Sequence, residues 1–89
     1  MPARAFVDTN VLVYAYDRAD AHKQARALEV LEHLATSGQG LLSAQVLAEF
    51  CWVATTKLAD PLRLDEAEEQ IQAYLRSWSV TDITPLIVL

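Results

Sequence analysis

Two carboxylates suggest the chemistry in this sequence. Asp8 lies in Ala5-Phe6-Val7-Asp8-Thr9-Asn10-Val11-Leu12-Val13, between apolar runs, and Glu49 lies in Ser43-Ala44-Gln45-Val46-Leu47-Ala48-Glu49-Phe50. An unpaired charge among apolar residues is costly, so Asp8 must do something with it. Two uses are open: ligating a metal ion, or capping the helix that follows through its own side chain. Glu49 has a similar pair of readings, ligand or ordinary boundary glutamate. At about 100° per residue it stands about 60° from Val46 and 40° from Val53, so it flanks an apolar stripe. Two converging carboxylates repel unless a cation, a proton or an arginine joins them. Hard oxygen donors of this kind suit Mg²⁺ or Mn²⁺. Such an ion lowers the pKa of a bound water and stabilises charge on a phosphate during in-line displacement. Thr9 and Asn10 read as cap and turn groups.

The elements that must position these residues can be read from periodicity. Residues 4–8 predict a short buried strand ending at Asp8, and Asn10 an N-cap for a helix over about 11–16. Asp20 can cap a second helix, about 21–37, whose apolar positions are Ala27, Leu28, Leu31, Leu34 and Ala35. Gly38 closes it. Leu41-Leu42-Ser43 predicts a second strand, with Ser43 the N-cap of a helix over about 44–58. Val46, Leu47, Phe50, Cys51 and Ala54 form one stripe of that helix. Asp60-Pro61 breaks the chain. A fourth helix, about 65–77, opens on Asp65 with Glu68 as a capping-box pair, and its stripe is Ile71, Tyr74, Leu75 and Trp78. A third strand follows at about 79–83. Thr84-Pro85 then has the form of N-cap and N1 of another helix. Strands separated by helices imply a parallel sheet with crossovers. Sites in such sheets form beyond the carboxyl ends of the strands, and Asp8 sits at such an end.

Bulk properties narrow the class. Eighty-nine residues allow one small domain at most, and 53% apolar with 21% charged is globular rather than disordered. No internal repeat is present. The apolar run Val11 to Tyr16 is far too short to span a bilayer, and no signal-peptide pattern precedes Asp8. A single cysteine, Cys51, makes no internal disulfide, which fits a reduced, cytoplasmic setting. The net charge of −5 argues against a broad basic surface for nucleic acid, although carboxylates that hold metal count as negative until the metal arrives. Asp65, Glu66, Glu68 and Glu69 read as the solvated start of a helix.

Val7-Asp8-Thr9-Asn10-Val11-Leu12, followed by Ser43 and, after an apolar-rich gap, Glu49-Phe50, resembles a PIN domain. The resemblance is greatest to the small bacterial toxins of the VapC type, and it covers essentially the whole chain. It implies a three-layer α/β/α fold and a Mg²⁺- or Mn²⁺-dependent ribonuclease acting on RNA, with an antitoxin partner and homodimers. Asp8 matches the family's first metal-binding acid, Glu49 the second, and Asn10 the polar residue that supports the site. The family's third and fourth acids fall where residues past 89 would lie. Residues 1–89 are therefore expected to be an incomplete PIN domain, roughly its N-terminal two-thirds. Asp82 matches a strand end rather than a missing helical aspartate. Without the remaining strands, the first strand is expected to show an unpaired edge, through which another chain or copy would associate. The rival reading is a catalytically inactive remnant that only binds an antitoxin or dimerises. A strand-end aspartyl nucleophile of the haloacid-dehalogenase type needs a second Asp two residues on, where this chain has Asn10.

The remaining candidates read as structural. His22 and His33 lie on one helix, three turns apart, too far to share an ion. Cys51 is expected in the core and Trp78 in packing or at a dimer face. Arg4, Arg18, Lys23, Arg26 and Lys57 are scattered as solvated surface.

Overall fold

A computed structural model of the chain describes residues 4–81. In chain order the elements are β1 (Ala5–Phe6), α1 (Thr9–Ala15), α2 (Ala21–Ser37), β2 (Gly40–Ser43), α3 (Ala44–Thr56), α4 (Leu64–Ser77) and β3 (Ser79–Thr81). The three strands form one sheet in the order β1-β2-β3, and both pairings are parallel. The class is α/β with a parallel sheet, as expected. The strand attributed to residues 79–83 runs over Ser79–Thr81 among the described residues. The helix start at Thr84-Pro85 and the strand end at Asp82 lie outside them.

Local chemistry explains most boundaries. The Asp20 carboxylate accepts the Lys23 N–H at 3.0 Å and starts α2. Gly38 ends it with φ 70°, a left-handed conformation that costs glycine little. The buried Ser43 hydroxyl accepts the Val46 N–H at 3.1 Å and turns β2 directly into α3.

Two caps differ from the expectation. Asp8, not Asn10, is the N-cap of α1: its Oδ1 accepts the Asn10 N–H at 3.1 Å, and Thr9 and Asn10 are already helical. The carboxylate two residues upstream reaches the free N–H first, so the turn closes earlier. In α4 the N-cap is Arg63 rather than Asp65. Its N–H donates to Glu66 Oε1 at 2.9 Å, so Glu66 fills the role assigned to Glu68.

The core centres on Phe50, Leu12 and Leu42, all fully buried, with Leu47, Ala54, Leu31 and Ala27 around them. The α3 stripe therefore packs as read, with Val46 and Cys51 half-buried at its margin. A row of aromatic rings runs from Tyr16 to Phe50 (5.0 Å between centroids), Tyr74 (6.3 Å) and Trp78 (6.1 Å). Trp78 closes this row against the backbone of Gly40, whose missing Cβ makes room for the ring. The apolar stripes are narrower than read: Leu28, Ala35 and Leu75 are exposed. In β1, Ala5 and Phe6 are exposed and only Val7, just beyond the strand, is buried. β1 is an edge strand among the described residues, so it does not receive the double cover of an inner parallel strand.

Candidate metal and nuclease site

The site is built at the carboxyl ends of β1 and β2. Val7 N–H donates to Leu41 O at 2.9 Å, which holds the exit of β1 against β2. Asp8 and Thr9 leave the sheet there, while Ser43 sends α3 away from the neighbouring strand. Glu49 lies in the second turn of α3. The Thr9 hydroxyl donates to Glu49 Oε2 at 3.0 Å, a contact between residues 40 apart in sequence. Gln45, one turn before Glu49, donates its amide to Glu49 Oε1 at 3.2 Å. The fold therefore brings Glu49 against the residue next to Asp8.

The setting of Asp8 differs from the one its sequence neighbours suggest. Its flanking residues are apolar, yet Asp8 itself is exposed, as are Glu49 and Asn10. The helix carries the apolar side chains Leu12 and Val13 inward and leaves its N-cap facing water. Capping is thus an observed role of Asp8, and it occupies Oδ1. Among the described residues the ion pairs join Arg18 to Asp60, Arg26 to Glu29 and Arg63 to Asp65, and none includes Asp8 or Glu49.

The donor set consists of exposed carboxylate oxygens without a pairing cation. This fits a hard divalent ion such as Mg²⁺, which keeps several waters and takes only one or two protein carboxylates. Asp8 and Glu49 are the residues that would hold it. Among the described residues no group of three or more His, Cys, Asp or Glu side chains is placed to hold a metal.

A PIN-domain family model matches residues 5–88. The chain belongs to the PIN-domain family. No curated protein and no solved structure matches it. PIN membership points to a nuclease acting on RNA, and the parallel α/β arrangement agrees with it. In this PIN domain the residues not recognised from sequence as part of the site are Thr9 and Gln45. Thr9 reads from the sequence as a cap and turn group, although its place beside a strand-end acid is a signal. Gln45 had a weaker one, its i, i+4 spacing to Glu49.

The other candidates fall outside this corner. His22 and His33 are exposed on α2. His22 lines an apolar groove between α1 and α2 with Val11, Tyr14, Ala27 and Val30, and the Lys23 ammonium lies 5.0 Å from the Tyr14 ring centre. Cys51 is half-buried. No described helix is long and apolar enough to cross a membrane.

Proposed function

We propose that this chain is part of a Mg²⁺- or Mn²⁺-dependent PIN-domain endoribonuclease, a cytoplasmic toxin of a toxin–antitoxin pair of the VapC type. The supporting observation is the Thr9–Glu49 hydrogen bond, which holds Glu49 against the residue that follows Asp8. Asp8 and Glu49 are the metal ligands in this reading, and Asn10, whose N–H already holds Asp8, supports them. A bound divalent ion supplies activation of a water and stabilisation of charge on the scissile phosphate. Asp8 and Glu49 bind and orient, and their exposure leaves the corner open to an RNA backbone.

The same reading treats residues 1–89 as the N-terminal part of the domain. One observation supports it: among the described residues β1 stands at the sheet edge, with Phe6 59% exposed. That open edge also supports association with an antitoxin or a second copy. The alternative reading is a remnant that binds a partner without cleaving RNA.

Mn²⁺ binding to the 89-residue chain, followed by water-proton relaxation, tests the assignment. Asp8→Asn keeps an N-cap acceptor and removes the charge, so it should preserve folding and weaken Mn²⁺ binding. Equal affinity in both proteins would remove Asp8 from the site. RNA cleavage that is lost in Asp8→Asn and Glu49→Gln would support the nuclease, and no cleavage in any form would favour the remnant.

A further inference from the structure

We infer that Gln45 is a positioning residue for Glu49, holding one carboxylate oxygen while Thr9 holds the other. The inference rests on the reading of Glu49 as a metal ligand. Glutamate has three side-chain torsions, and an exposed one samples many rotamers at an entropic cost when it is fixed. Glu49 is exposed, yet both of its oxygens are engaged: Thr9 Oγ1 donates to Oε2 at 3.0 Å and Gln45 Nε2 to Oε1 at 3.2 Å. The two donors come from different elements, α1 and α3, so the carboxylate is fixed relative to both. Both donors are neutral. They orient the group without cancelling its charge, which a lysine or arginine would do. Each carboxylate oxygen has two acceptor positions, so one hydrogen bond to each leaves a further position on each for a cation.

A plain surface pair offers the competing account. An i, i+4 glutamine–acid contact stabilises a helix by only about 0.2–0.5 kcal/mol and has no bearing on ligand binding. The two accounts differ in what Gln45 does when Glu49 is absent or a metal is present. Partners that orient a metal ligand typically change affinity by about 10–100-fold when removed, and an exposed one belongs at the lower end.

The test is a double-mutant cycle on the 89-residue chain, with Gln45→Met, Glu49→Gln and the combination. Mn²⁺ affinity is read by water-proton relaxation and folding by the thermal midpoint. Gln45→Met should weaken Mn²⁺ binding about tenfold with little change in midpoint, and should have no further effect in the Glu49→Gln background. Gln45→Lys, which restores a donor, should leave Glu49 oriented but add charge, and so should not recover affinity. Weaker binding in Glu49→Gln together with wild-type binding in Gln45→Met would overturn the role of Gln45 alone. Wild-type binding in Glu49→Gln would overturn the metal reading, and the positioning role with it.

Discussion

The Thr9 hydroxyl and Glu49 Oε2, 3.0 Å apart, tie the start of α1 to the second turn of α3. This one contact joins the two sequence blocks in which the candidate acids lie. Thr9 is the first residue of α1 and follows the capping Asp8, so its side chain leaves the sheet at the corner where α3 begins its second turn. Thr9→Val keeps the shape and removes the donor. Because Glu49 is exposed, water replaces the lost bond and stability should fall by less than about 1.5 kcal/mol. Mn²⁺ affinity should fall and be recovered by Thr9→Ser. A urea titration and a Mn²⁺ titration of the three proteins check both halves. An unchanged Mn²⁺ affinity in Thr9→Val would show that the contact is structural only.

Gly40 and Trp78 make a second long-range match. A Cβ on Gly40 would collide with the six-membered ring of Trp78, which packs against the start of β2. Gly40→Ala should therefore destabilise by about 1–3 kcal/mol, the usual cost of overpacking. In a Trp78→Ala background the same substitution should cost nothing or stabilise slightly, because alanine is better tolerated than glycine within a strand. Thermal midpoints of the four proteins close the cycle, and a full cost of Gly40→Ala without the ring would refute the clash.

Ser43 joins β2 to α3 without an intervening loop. Its hydroxyl is buried and accepts the Val46 N–H, so no water stands ready to replace it. Ser43→Ala should cost about 1 kcal/mol, within the 0.5–2 kcal/mol range of lost N-caps. The urea midpoint should fall with an unchanged slope against denaturant. Since α3 carries Glu49, the variant also reports how firmly the helix start is set, and wild-type stability would mean that the Val46 N–H finds another acceptor.

What was legible in the sequence follows from how local each signal is. Asp20, Gly38 and Ser43 act on backbone groups within three residues of themselves, so the ends of α2 and the start of α3 could be read directly. The same locality failed where two polar residues competed. Asp8 won the cap of α1 from Asn10, and Arg63 with Glu66 displaced Asp65 with Glu68. Periodicity found Phe50 and Leu31 but overstated Leu28 and Leu75, because it marks an apolar face without saying how much of it a neighbour covers. Asp8 and Glu49 were visible as acids at strand-end and helix-start positions. Their links through Thr9 and Gln45 were not, since the Thr9–Glu49 bond depends on register between distant segments. The exposure of Asp8 has a local cause instead: its apolar neighbours in sequence point into the core while the cap itself faces outward.

The tyrosine pair gives a pH-dependent signature that leaves the acidic site untouched. Tyr16 donates to Gln70 Oε1 at 2.8 Å, and its hydroxyl lies 3.0 Å from that of Tyr74. Burial raises both phenols above their ordinary value of 10.0, and for Tyr74 the bond to Tyr16 raises it further. A phenol that ionises less readily in the folded state than in the unfolded one favours folding only while both states are protonated. Its contribution is complete below about pH 10 and is lost as the pH climbs above that value, where the unfolded chain releases the proton first. Stability should therefore fall as pH rises above about 10. Tyr74→Phe removes one of the two titrations, along with one hydrogen bond, and should make that fall shallower while lowering stability at neutral pH by about 1 kcal/mol. Because the bond to Tyr74 also acts on Tyr16, the difference between the two alkaline slopes reports the coupled tyrosine pair. Urea midpoints at pH 7, 9, 10 and 11 for the two proteins are the measurement, and parallel alkaline slopes would show that the tyrosine pair is not held protonated by the core.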